Sequence, residues 1–394
     1  MDVIVPEIPA EYDGHRDRLR AFIREHRPTL GWKQRTGLRC PDDPADVEKL
    51  RAWTRALHDA GYVLDRFTME RSDPHEQSIL EQELRASGIP FVLGNPLVSG
   101  ALQLFGTPDQ QQTYLPPMAR GDHIWTQLFS EPDAGSDLAS LTTRARLKGD
   151  EYVIDGQKVW STWAQFADFG YLLARTEETP GSKGITAFIV DIHSPGVDVR
   201  PLREMTGTTD FNEVFFDAVR VPAANVIGER GDGWRIANAS LAAERGGVSW
   251  ASGGDPMHAL VRLARDHRRA GRSAIEDAAV RQDVGRFAAR HRIQRYIGYV
   301  VATRAARGEM PIADAPLSKI WFSELNLEVA QYGLELMGAR ADLVEGEPDS
   351  YEDGRWQDLF LYARAWTIAG GTNEILRNVI AERGLGLPRE SRGG

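Results

Sequence analysis

The spacing of apolar residues changes twice along this 394-residue chain, and those two changes limit the folds open to it. Up to about Asp122 apolar residues recur at helical spacing. In "DVEKLRAWTRALHDAGY", Leu50, Trp53 and Leu57 share a face and Gly61 supplies a stop, and "EQSILEQELRASGIP" closes at Gly88 and Pro90. From about His123 to Gly228 the pattern turns to strands. "TTRARLKGDEYVIDGQKVWST" alternates around two turn pairs, Gly149-Asp150 and Asp155-Gly156, and "GITAFIVDI", "VDVRPL" and "NEVFFDAVRVP" are rich in Val, Ile and Phe. From Asp232 helical spacing returns in "GWRIANASLAAERGGVSW", "QDVGRFAARHRIQRYIGYVVATRAARG", "LSKIWFSELNLEVAQYGLELMG" and "NEILRNVIAERG". Asp266–Asp277 reads as a solvated connection between helices.

The expectation is an α+β protein with a helical domain over residues 1–122, a β domain over 123–231 and a helical domain over 232–394. A chain of this length buries enough apolar surface for such a division. A net charge of −10 argues against a general polyanion binder, because nucleic-acid affinity rests on clustered Lys and Arg. The single cysteine, Cys40, excludes an intramolecular disulfide and any multi-cysteine metal site, so no metal is expected. The N-terminal residues lack the pattern of a secretory signal, and apolar runs such as "YIGYVVA" are too short to span a bilayer. A cytoplasmic protein without a membrane span is the expectation.

Four segments could carry chemistry. In "LFSEPDAGSDLASL", Ser130, Gly135 and Ser136 offer hydroxyls and accessible backbone N–H groups able to cradle a phosphate or a heterocycle edge; a Pro-Asp/Gly-Ser turn gives the same composition. In "KVWSTWAQFADF", Trp160 and Trp163 flank Ser161-Thr162 at a strand end, where an indole packs against an aromatic cofactor or fills a core. On the helix Trp234–Trp250, Glu244 falls on the apolar stripe of Trp234, Ala237, Leu241 and Val248. Burial would raise its pKa toward that of a general base, whereas a Glu244–Arg245 pair at a helix edge is the plainer reading. In "TIAGGTNEILRN", two glycines precede a helix start, as a turn or as a place for a ligand to approach the backbone.

Taken in order, "LFSEPDAGSD", "KVWST", "NEVFFDAVRVP" and "TIAGGTNEILRNVIAERGLG" resemble the signatures of the acyl-CoA dehydrogenase family, over nearly the whole chain. The resemblance implies that fold, with a four-helix bundle as its C-terminal domain, and FAD as cofactor. It implies that Leu128 and Ser130 approach the flavin's pyrimidine edge and that Ser136 faces a phosphate region of cofactor or substrate. Trp160 would pack on the flavin face, Thr162 would donate toward it, and Gly371, Thr372 and Glu374 would lie near its ribityl and adenosine parts. It implies α,β-dehydrogenation of an acyl-CoA or acyl-carrier-protein thioester, with an electron-transfer flavoprotein as acceptor, in a homo-oligomer (dimer or tetramer) or a hetero-oligomer.

The chain departs from the common family pattern twice. Many members keep a catalytic glutamate directly before the second glycine of the C-terminal corner, where this chain has Gly370. Members resembling isovaleryl- and long-chain acyl-CoA dehydrogenases take the base from a Glu-Arg pair on the helix after the β domain. The resemblance therefore implies Glu244 as base with Arg245 beside it, and Leu241 and Gly370 facing the acyl group. Of the Arg-x-x-Phe-Gly and Gln-x-x-Gly-Gly segments that contact a neighbouring subunit's FAD, "RSAIED" and "ELMGAR" keep only Arg272 and Gly338. The resemblance leaves one alternative within the fold, a flavin monooxygenase or oxidase, and the weakened half-sites bring in another, a non-catalytic partner subunit.

Overall fold

The computed structural model describes residues 8–30, 40–41, 43–63, 73–87, 93–179, 181–246, 256–269, 271–307, 309 and 311–389. The chain divides into two compact units, one built from Ile8–Gln34 and Leu38–Glu244, the other chiefly from Arg245–Gly394.

The first unit opens with five helices: α1 (Asp13–His26), α2 (Pro44–Asp59), α3 (Pro74–Ser87), α4 (Pro96–Phe105) and α5 (Pro108–Ala119). Their starts are written locally. Asp43, Asn95 and Thr107 each accept an N–H of the first helical turn, with proline at the first position where its missing N–H costs nothing. The strands follow: β1 (Trp125–Leu128), β2 (Arg144–Lys148), β3 (Glu151–Lys158), β4 (Phe169–Arg175), β5 (Ile185–Asp191), β6 (Val197–Leu202), β7 (Phe211–Pro222) and β8 (Val226–Ile227). They form one eight-stranded sheet in the order β6-β7-β3-β2-β4-β5-β8, with β1 parallel to β4. Helix α6 (Gly233–Gly246) comes next, its first residue so close to β5 that a Cβ there would sit 2.7 Å from the Thr186 carbonyl carbon.

Strands β4 and β5 are buried on both faces. Tyr171, Leu173, Ala187 and Ile189 join a core shared with α1–α5 and α6, while Leu172, Ala174, Phe188 and Val190 join a second core with β3 and β7. Gly149-Asp150 makes the expected two-residue turn between β2 and β3. Asp155-Gly156 is not a turn. It lies inside β3, where the register against β7 slips between Ile154 and Gly156; the extra residue is on β7, where Ala218 has φ 50°, and a Cβ at Gly156 would sit 2.5 Å from the Thr143 hydroxyl.

In the second unit α7 (Pro256–Asp266), α8 (Ala278–Ala306), α9 (Asp314–Met337) and α10 (Arg355–Ile368) enclose a single core. Trp356, fully buried, lies over Gly333, where a Cβ would meet its ring at 2.1 Å. Between α7 and α8 the expected connection includes an exposed hairpin, β9 (Arg268–Arg269) with β10 (Arg272–Ser273). Helix α11 (Asn373–Asn378) follows the two glycines and passes into a π-helical turn, Val379–Gly384. Among the described residues no helix is long and apolar enough to cross a membrane.

Candidate functional site

In the first unit, the loop after β1 and the segment after β3 are one piece of structure, joined by a buried ion pair. Lys158 is fully buried, and its Nζ donates to the Phe129 carbonyl (2.9 Å) and to Glu131 Oε1 (2.8 Å). The Glu131 carboxylate also accepts the Thr142 N–H (2.6 Å), the Thr142 hydroxyl (2.8 Å) and the Thr143 N–H (2.9 Å). Burial alone would raise the Glu131 pKa, but the Lys158 charge and these donors outweigh it and hold the carboxyl at about 2. Burial pushes the Lys158 ammonium down. Neither residue figured among the expected site residues. The signal was present in the alternation of β3, which places a lysine in line with inward-facing Tyr152 and Ile154.

Above that pair the chain is sewn down on both sides. The Val159 N–H donates to Ser130 O (2.9 Å), Ser161 N–H to Asn212 O (3.0 Å) and Trp163 N–H to Asp210 O (3.1 Å). Trp160 and Trp163 both take left-handed backbone, φ 61° and 62°, which costs energy in a bulky residue and persists only where surrounding bonds impose it. The two indoles go to different places. Trp163 is a core residue, whereas Trp160 is 60% exposed and meets Phe211 edge-on. Thr162 is half-buried beside it, its carbonyl held by the Thr126 hydroxyl at 2.8 Å.

Ser130 is half-buried, and Ser136 is exposed at the tip of its loop. Leu128 ends β1. Its side chain is fully buried against Gly170, where a Cβ would lie 2.2 Å from Leu128 Cδ1, so only its main chain is left for a ligand. Among the described side chains of α6, Ile236, Ala237 and Ser240 are fully buried, with Leu241 half-buried against the same core. The Ser240 hydroxyl donates to Ile236 O (2.7 Å) and lies 3.4 Å from the Tyr171 hydroxyl, so strand β4 holds the helix there. Position 244 is helical, one turn beyond Ser240. The side chains of Glu244 and Arg245, and all of Val248, lie outside the described residues.

In the second unit, the two glycines have left-handed backbone, φ 65° at Gly370 and 94° at Gly371. Thr372 then caps α11, its hydroxyl accepting the Ile375 N–H at 3.2 Å. The corner is fixed from within by Lys319 of α9, fully buried, whose Nζ donates to Gly371 O (2.9 Å) and Asn373 Oδ1 (2.8 Å). Glu374 is exposed. Arg272, on the exposed hairpin, donates to Glu276 at 3.1 Å, and Gly338 closes α9 with φ 57°.

Within its own unit, each group of residues suits a flavin. In the first, an open indole face beside a half-buried hydroxyl lies next to a rigid loop of small residues, which matches a planar ring with polar edges. In the second, a side-chain-free corner opens a helix. No cluster of three or more His, Cys, Asp or Glu that could hold a metal ion occurs among the described residues.

Comparison with known proteins follows the same lines. The model of the acyl-CoA dehydrogenase middle domain matches residues 126–219, and that of the acyl-CoA dehydrogenase C-terminal domain matches residues 231–385. The chain is 39% identical over 366 residues to acyl-CoA dehydrogenase IpdE1 of Mycobacterium tuberculosis, covering 88% of this chain and 90% of that one. Its fold is similar to the solved Tcur3481-Tcur3483 steroid ACAD, with a TM-score of 0.81 and 30% identity over 99% of this chain and 100% of the other. It is also similar to the ChsE4-ChsE5 complex of Mycobacterium tuberculosis, with a TM-score of 0.80 and 28% identity over 98% of this chain and 100% of that one.

Proposed function

Since the chain belongs to the acyl-CoA dehydrogenase family, a family of flavoprotein oxidoreductases, we propose that it binds FAD and desaturates an acyl thioester with Glu244 as its base. One observation carries the choice of base. Gly370 stands where many relatives keep their glutamate, and its φ of 65° is strained for any residue with a side chain. The carboxylate must then come from elsewhere, and α6 continues as helix through position 244.

In this reading Trp160 offers its exposed indole to the flavin face, Thr162 donates to the ring edge, and Leu128 and Ser130 present main chain and hydroxyl to the pyrimidine side. Ser136 faces a phosphate of the ligand, and Gly371, Thr372 and Glu374 take the ribityl and adenosine parts. Arg272 reaches the cofactor of a neighbouring subunit. Bound FAD supplies the hydride acceptor. Glu244, ionised and held in a dry pocket with Arg245 beside it, removes the α-proton. The Lys158–Glu131 pair keeps the platform under Trp160 in place before ligand arrives, so no binding energy goes into ordering it.

A glycine at position 370 suits a branched or bulky acyl group in this reading, with Leu241 assigned to the acyl side as well. The similarity to a steroid ACAD supports a bulky, polycyclic acyl-CoA, and the two-protein neighbours support assembly with a related subunit as well as with itself. An electron-transfer flavoprotein takes the electrons onward. A panel of straight-chain, branched and steroid side-chain CoA thioesters, assayed with an artificial electron acceptor, tests the reading. The expected result is a yellow protein whose turnover favours the bulky thioesters. A colourless chain that gains activity only on mixing with a second subunit would instead make it the non-catalytic partner.

A further inference from the structure

Arg175 ends strand β4, and its guanidinium makes five hydrogen bonds, all to main-chain carbonyls. Nε donates to Leu141 O (3.2 Å), Nη1 to Thr179 O (2.7 Å) and Lys183 O (3.2 Å), and Nη2 to Ala139 O (2.8 Å) and Gly181 O (3.2 Å). Those bonds use every N–H of the fork. The acceptors come from two segments: Ala139 and Leu141 from the loop that carries Ser136, and Thr179, Gly181 and Lys183 from the connection between β4 and β5. The near end of the Ser136 loop is already fixed, through Glu131 and Lys158. Ser136 therefore sits exposed between two anchorages, one a carboxylate and one a guanidinium.

We propose that Arg175 is a positioning residue for the coenzyme A end of the thioester, holding the Ser136 loop and the β4–β5 connection together as one preformed lip. The inference rests on the functional reading above. Arg175 spends its donors on the protein, so it acts through the two segments. Its effect falls on binding of the carrier end and leaves the chemistry at the acyl end alone. Lysine cannot replace it, because an ammonium is a point charge with three donors and cannot bridge five carbonyls. Ordering two loops in advance spares the ligand that cost.

The test uses the FAD-loaded protein with Arg175→Lys and Arg175→Met, free coenzyme A as probe, and flavin absorbance per chain as the check on folding. Both variants are expected to bind coenzyme A about ten-fold more weakly by calorimetry, with flavin content and kcat unchanged. The KM for an N-acetylcysteamine thioester, which lacks the nucleotide, should stay at the wild-type value. In the wild-type protein, hydrogen exchange should show coenzyme A protecting residues 136–141 and 181–184 together, a result that does not depend on either variant folding. An Arg175→Lys protein that binds coenzyme A like wild type, or protection confined to one segment, would overturn the proposal. A wild-type protein that shows no flavin bleaching with any thioester would overturn the functional reading itself, and so separates the two failures.

Discussion

Two fully buried lysines each hold a group of candidate residues, one in each unit, and they do so with different chemistry. Lys158 meets a carboxylate that is itself tied to three further donors on Thr142 and Thr143, while Lys319 meets a carbonyl oxygen and an amide oxygen at the glycine corner. Both fix a stretch of main chain that regular hydrogen bonding leaves loose. The first arrangement is the more costly to break, since removing one partner leaves a full charge stranded in the interior. Breaking the bonds to Gly371 O and Asn373 Oδ1 leaves neutral acceptors, which cost far less.

The largest effect that separates the two lysines is expected from Lys158→Met. It strands Glu131 and should destabilise the first unit by about 3–5 kcal/mol in denaturant unfolding. Adding Glu131→Leu should recover much of that loss, and no recovery would mean the pair acts through its loop contacts alone. Lys319→Met should cost less, about 1–3 kcal/mol, and should lower flavin retention by freeing Gly371 and Asn373. An equal loss for both lysines would break the comparison.

The smallest effect is one of pH. The Glu131 pKa is depressed from 4.5 to about 2, so its stabilisation is fully present above the ordinary carboxylate range and is lost as pH falls toward 2. The stability gap between wild type and Glu131→Gln should therefore narrow over that interval. A gap that does not vary with pH would show that Glu131 contributes by shape alone.

How much of this could be read in advance depends on the kind of residue. The helix–sheet–helix order showed in the apolar spacing because most strands keep one regular inward face. "FGYLLAR" hid its strand because β4 divides Tyr171 and Leu173 from Leu172 and Ala174 between two cores, which leaves no polar alternation to see. Asp155-Gly156 looked like a turn because a glycine needed for close packing on Thr143 has the same composition as one that reverses the chain. Lys158 drew no reading in sequence because its partner lies 27 residues earlier, on a loop that only the folded sheet brings to it. Composition alone could not tell Trp160 from Trp163. Main-chain bonds from Ser130, Asp210 and Asn212 decide which indole turns outward.

The central claim is that the base left out of the corner at Gly370 is supplied by Glu244. Stopped-flow absorbance of the FAD-loaded Glu244→Gln protein, mixed anaerobically with the best thioester of the panel, tests it directly. The account predicts full flavin content, thioester binding like wild type, and no bleaching. Bleaching at a wild-type rate would contradict it and move the proton abstraction to another residue.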